Sequence, residues 1–124
     1  MRKYIFIFFN FFKYFDALIS EHITISDIKL ELQSNMAYYC KNIEFEGGFV
    51  IEPIIKNENV DLDSIPENTI KVIKENIVGI RNSLVHLRES RENKVILPTA
   101  KNDDLLIPYL YLIRRMCEKI IIDR

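Results

Sequence analysis

Apolar residues recur at helical spacing along most of this chain. Ile5, Phe8, Phe9, Phe12, Phe15 and Ile19 fall on one side of a helix with 3.6 residues per turn, and Lys3, Asn10, Lys13, Asp16 and Ser20 on a broad opposite face. This predicts an amphipathic first helix over residues 2–20, packed in a core or a dimer interface. A second helix starts near Ser26-Asp27, residues that cap well. It carries Ile28, Leu30, Leu32, Met36, Tyr39, Cys40 and Ile43, and is expected to stop before Gly47-Gly48. Ser64-Ile65-Pro66-Glu67 reads as a capping box with proline in the first turn. From there a third helix runs toward Ser90 on a stripe of Ile70, Ile73, Ile77, Ile80, Leu84 and Leu87. Asn102 or Asp103 opens the last helix. Its buried face is Leu106, Tyr109, Leu110, Leu112, Ile113, Met116, Ile120 and Ile121, and Arg114, Arg115 and Lys119 lie toward its negative end.

The segments between these stripes are less regular. Pro53 and the polar run Lys56 to Asn59 favour a surface loop. An alternative for the stretch before it, residues 43–51, is a short hairpin in which Phe49-Val50-Ile51 pairs back on Ile43-Glu44-Phe45 across the two glycines. Arg88 to Asn93 is strongly polar, and Lys94-Val95-Ile96-Leu97-Pro98 reads as extended. Gly79 lies inside the third helix, where it costs about 1 kcal/mol relative to alanine; close approach of another backbone would account for it. The 124 residues fit one domain, 1–124, long enough to bury a core. The expected fold class is all-α, a four-helix bundle with one long irregular connection.

Composition narrows the function classes. Apolar residues make up 48% and charged residues 28%, which suits a globular domain and not a disordered one. The formal net charge of −1 argues against a generic nucleic-acid coat, but the charge is unevenly placed. Residues 71–124 hold 11 basic against 7 acidic side chains, and residues 1–70 hold 6 against 11. A basic C-terminal half attracts phosphates locally, although a solvated helix surface reads the same way. Cys40 and Cys117 lack zinc-site spacing and suit reduced thiols in a cytoplasmic protein. Met1-Arg2-Lys3 before an apolar run looks like a signal peptide, but no small-x-small cleavage site follows Ile19. That run is short and interrupted for a membrane span, so no membrane association is expected; a membrane-associated small protein is the third-ranked reading.

The stretch Ile80-Arg81-Asn82-Ser83-Leu84-Val85-His86 carries the candidate chemistry. It holds one of two histidines, five residues after an arginine that is followed by asparagine, on an otherwise apolar helix. Asn82 and His86, four apart, share a helix face. Arg81 and His86 lie about 140° apart around the axis. They meet at one small group only if the helix ends or bends near His86, or if a second copy supplies half of the site. This Arg-polar-x3-His pattern resembles the motif of HEPN domains, small all-helical domains of which many are metal-independent ribonucleases. The segment Leu87 to Glu92 and the final amphipathic helix are similar to bacterial HEPN proteins as well. The resemblance implies a HEPN-like bundle that pairs as a homodimer, with Arg81, Asn82 and His86 as catalytic residues in a cleft at the interface. It also implies products with 2′,3′-cyclic phosphate and 5′-hydroxyl ends, and a toxin or anti-phage defence role. A neutralising antitoxin, such as a minimal nucleotidyltransferase, is the implied partner besides RNA.

The residue types suit that chemistry. Imidazole titrates near neutrality and can move the proton of a ribose 2′-hydroxyl or protonate the leaving oxygen. A guanidinium holds phosphate with paired hydrogen bonds. Asn82 can orient His86 or touch RNA. Neither metal nor cofactor is called for. Arg88, Arg91 and Lys94 follow the motif and are candidate RNA contacts, with a solvated loop as the plain alternative. The competing class is a non-catalytic nucleotide-binding or protein-interaction module, in which Arg81 pairs with a carboxylate such as Glu75 or Glu118 and His86 is a core histidine. Elsewhere His22 reads as surface, and Asp61, Asp63 and Glu67 do not follow calcium-loop spacing. Asp103-Asp104 reads as a helix start. Tyr38, Tyr39, Tyr109 and Tyr111 read as half-buried packing before base stacking.

Overall fold

The computed structural model of the chain describes residues 23–85 and 94–122. The expected first helix, His22, His86, Arg88 and Arg91 lie outside the described residues. Chain entry is set by Ile23, buried, and by Thr24, the N-cap of helix α1 (Ile25–Ser34). The Thr24 backbone N–H and hydroxyl donate to Asp27 Oδ2 at 2.8 and 3.1 Å. The cap therefore sits two residues before the expected Ser26. Glu67, expected to close its own capping box with Ser64, instead accepts from the Ile25 N–H at 3.3 Å.

The expected long second helix is broken. Ser34 Oγ donates to the Leu30 carbonyl at 2.8 Å and Asn35 Nδ2 to the Glu31 carbonyl at 3.4 Å. Such back-bonding competes with the helix ladder, and Asn35 leaves helical geometry at φ −135° and ψ 33°. A single further turn, α2 (Met36–Tyr39), follows. It ends where the Tyr39 carbonyl accepts from the Ile54 and Ile55 N–H groups at 2.9 and 3.2 Å. The continuation that periodicity assigned to helix is the hairpin. Strands β1 (Ile43–Glu44) and β2 (Val50–Ile51) are antiparallel, with Ile43 opposite Ile51 and Glu44 opposite Val50. Ile43 and Ile51 point inward and Glu44 outward, the two-residue alternation of a half-buried strand.

A 3-10 turn (Leu62–Ser64) leads to α3 (Thr69–Val85). The stripe Ile70, Ile73, Ile77, Ile80 and Leu84 is buried as its spacing predicts, with the three central isoleucines fully enclosed. Each such side chain contributes roughly 2 kcal/mol. Gly79 faces the Phe49 ring and not another backbone: a Cβ there would lie 3.2 Å from Phe49 Cζ.

The last helix is also split. Thr99 caps α4 (Ala100–Leu105) by accepting from the Asn102 N–H at 3.2 Å, so the helix starts before Asn102. Leu106 separates it from α5 (Ile107–Ile122). Pro108 has no N–H to give to the preceding turn. Two tyrosines bind carbonyls at this break: Tyr38 Oη donates to Leu105 O at 2.7 Å and Tyr39 Oη to Pro108 O at 2.8 Å. The rings of Tyr38, Tyr39 and Tyr109 stand edge to face, 5.2–6.0 Å apart, and Asn76 Nδ2 donates to Tyr109 Oη at 2.9 Å. Burial raises all three phenol pKa values, that of Tyr109 to about 12. These three are packing residues, whereas Tyr111 is half exposed at 49%. The chain is thus mostly helical with one small sheet, and its described residues do not form a plain four-helix bundle.

Candidate functional site

Arg81 and Asn82 lie in the last described turns of α3. The preceding apolar stripe fixes their direction: with Ile77, Ile80 and Leu84 buried, Arg81 is left half-buried and Asn82 exposed. Neighbouring residues on a helix point about 100° apart, yet the arginine is long enough to curl back. Its Nη1 donates to Asn82 Oδ1 at 3.2 Å. The pair presents a guanidinium braced by an amide. Val78, one turn before Asn82, is exposed on the same helix, as is Val72. Of the carboxylates that offered Arg81 a plain structural role, Glu118 is engaged by Arg114 and Arg115 at 3.1 and 3.7 Å.

Lys94 is brought to this end of the molecule by backbone pairing. The Ile96 N–H donates to the Ser83 carbonyl at 3.2 Å, which lays the expected extended segment along the end of α3. Val95 pairs with the glycine turn on its other side: its N–H donates to Gly47 O at 3.1 Å and its carbonyl accepts from Phe49 N at 3.2 Å. Gly47 and Gly48 take φ values of +111° and +96°, a region that side chains disfavour. Lys94 itself is exposed, and its methylenes cover Gly48. Of the six residues singled out from the sequence, Arg81, Asn82 and Lys94 are therefore placed at one end of the fold, while His86, Arg88 and Arg91 fall outside the described residues.

The support beneath this end is a buried polar hub that periodicity did not mark. Asn102 is fully enclosed. Its Oδ1 accepts from Glu46 N at 2.9 Å, and its Nδ2 donates to Glu46 O and Leu97 O, both at 2.8 Å. Thr99 Oγ1 donates to Glu46 Oε1 at 2.9 Å. The hub ties the glycine turn, the extended segment and α4 together. The sequence marked Asn102 only as a possible start of the last helix.

Other chemistry-bearing residues have structural partners. Asp61 accepts from Asp63 N at 3.0 Å, and Asp63 pairs with Lys29 at 3.0 Å. Asp103 lies in the first turn of α4. Cys40 and Cys117 are not joined to each other, and burial raises the Cys117 thiol pKa to about 11. Among the described residues no cluster of His, Cys, Asp and Glu is arranged to hold a metal ion, and no helix is long and apolar enough to cross a membrane. Comparison of the chain with family models, curated proteins and solved structures yields no match.

Proposed function

We propose that this chain is an endoribonuclease of the HEPN type that cuts RNA without a metal, at a site completed by a second copy. The observation that carries this reading is the Arg81–Asn82 pair: an oriented guanidinium at the surface, four and five residues before His86 and beside exposed Val78. In the HEPN-like arrangement, α1–α2, α3 and α4–α5 are three of the helical legs. Arg81 holds the scissile phosphate and neutralises the charge that builds on it. The ribose 2′-oxygen attacks phosphorus as its proton is removed, and the bond to the 5′-oxygen breaks as that oxygen gains a proton. His86 serves one of these two transfers. The products carry a 2′,3′-cyclic phosphate and a 5′-hydroxyl. A toxin or defence effector with a neutralising partner is the biological role that fits such an activity.

The test is incubation of labelled single-stranded RNA in EDTA with wild type, Arg81→Ala and His86→Ala, followed by identification of the product ends. Cleavage by wild type alone, with cyclic phosphate ends, is expected. Arg81→Ala should stay folded, with the helical circular-dichroism signal of the wild type. A folded wild type that leaves the RNA intact would favour the non-catalytic binding module. A loss of folding or dimer in both variants would give the pair a structural role.

A further inference from the structure

A different part of the surface, between α1 and α5, has the features of a contact site. An open groove of about 350 Å³ runs there, lined by Asp27, Leu30, Glu31, Tyr111, Arg114 and Arg115 among others. A second depression of about 220 Å³ shares Leu30, Glu31 and Tyr111. Leu30 is 70% exposed and Tyr111 49%. Lone exposed leucines are ordinary. Here, however, the two large side chains lie together in adjoining depressions with charged flanks, the layout of an apolar centre with a polar rim.

The two walls differ in sign. The α1 wall carries Asp27 and Glu31. The α5 wall carries Arg114 and Arg115, which share Glu118 yet keep side-chain exposures of 56% and 44%. The helices run antiparallel, since Asp27 meets Lys119 at one end while Tyr111 lies beside Ser34 and Asn35 at the other. A groove with one acidic and one basic wall is complementary to itself. A two-fold axis through it lays the α1 wall of each copy on the α5 wall of the other and sets Leu30 against Tyr111. Glu31 lines both depressions beside Leu30, and its Oε2 has no hydrogen-bond partner among the described residues, so its carboxylate can take up a guanidinium from a second copy. Nucleic acid fits poorly, because three carboxylates line the groove against two guanidiniums.

We propose that the α1/α5 groove is a two-fold contact between copies of this chain, in which Glu31 pairs with Arg114 of the partner subunit around Leu30 and Tyr111. This contact does not depend on the ribonuclease reading and uses a different helix pair from Arg81.

Sedimentation equilibrium of the full chain over a concentration series tests it. Leu30→Arg, at an exposed position, should halve the wild-type mass while keeping the helical circular-dichroism signal, whatever pairing the Arg81 face makes. Glu31→Arg and Arg114→Glu should each do the same, and the double variant should regain the wild-type mass because both cross-pairs are rebuilt in reverse. A wild type that stays monomeric, a Leu30→Arg variant of wild-type mass, or a double variant no heavier than the singles would each overturn the proposal. Pairing through the Arg81 face alone would leave every one of these variants at wild-type mass.

Discussion

The side chain of Asn102 and the backbone of Glu46 form a closed pair of hydrogen bonds, 2.9 Å from Glu46 N to Oδ1 and 2.8 Å from Nδ2 to Glu46 O, across 56 residues of sequence. No other residue type of this size both donates and accepts in that geometry. Asn102→Ala would leave the Glu46 N–H, Glu46 carbonyl and Leu97 carbonyl without this partner. A loss of roughly 2–4 kcal/mol is expected in urea unfolding. Asn102→Asp should fare no better, since a carboxylate keeps the acceptor but loses both donations and buries a charge. A cost below about 1 kcal/mol for either variant would mean that water replaces the side chain, and that the hub is not what holds the turn against α4.

The two glycines of the hairpin turn should respond unequally. A methyl group on Gly47 would collide with the Val95 carbonyl, whereas one on Gly48 would meet only Lys94 methylenes at 3.5 Å. Both positions have positive φ, so each alanine carries backbone strain of about 1–3 kcal/mol. Gly47→Ala adds the collision and should destabilise clearly more than Gly48→Ala in thermal melts. Equal losses would show that the Val95 strand moves aside without cost.

Asp27 gives stability a signature at acid pH. Burial raises its pKa, but the Thr24 N–H and hydroxyl and the Lys119 ammonium, 3.4 Å from Oδ1, outweigh that and hold the carboxyl below its ordinary 3.8. A folded pKa below the unfolded one stabilises the fold above pH 3.8, and that contribution is lost as pH falls through the folded value. Asp27→Asn is expected to cost roughly 1 kcal/mol near neutral pH. Its denaturation midpoint should converge on that of wild type in acid. A gap that stays constant into acid would assign the loss to packing and not to charge.

Arg88, Arg91 and Lys94 are the proposed RNA contacts beyond the cleavage site. Replacing all three by alanine should weaken binding of single-stranded RNA. It should also reduce the slope of log affinity against log salt by about 2, at about 0.7 for each phosphate that is no longer neutralised. Fluorescence anisotropy over a salt series measures both. A triple variant with the wild-type slope would exclude these side chains from the RNA path.

Helical character and the inward side of α3 were legible in the sequence, because burial at Ile70, Ile73, Ile77, Ile80 and Leu84 needs nothing beyond a regular repeat. The same repeat missed the break at Asn35 and misassigned residues 40–46, although Met36–Tyr39 is helical as it predicts. Ser34 and Asn35 bend back onto carbonyls of their own helix, and two-residue strands are too short to leave a periodic trace. The break before Pro108 was missed for a related reason: a proline in a helix's first turn looks the same whether it starts a helix or interrupts one. Of the candidate site, residue types and helix position came from the chain. The Arg81–Asn82 bond and the seat of Lys94 did not, because they rest on side-chain rotamers and on backbone pairing from distant segments.

By itself the sequence determined the helical stripes, the glycine turn and the identity of the charged and imidazole groups available for chemistry. Each follows from local spacing and residue type. Only the tertiary structure decided where the stripes break, that Asn102 is a buried hub, and that the 94–97 segment lies beside the end of α3. It also set the opposite-signed walls of the α1/α5 groove facing each other. These depend on which carbonyls and N–H groups remain to be paired once distant elements pack, a requirement of the whole fold that no local window of residues contains.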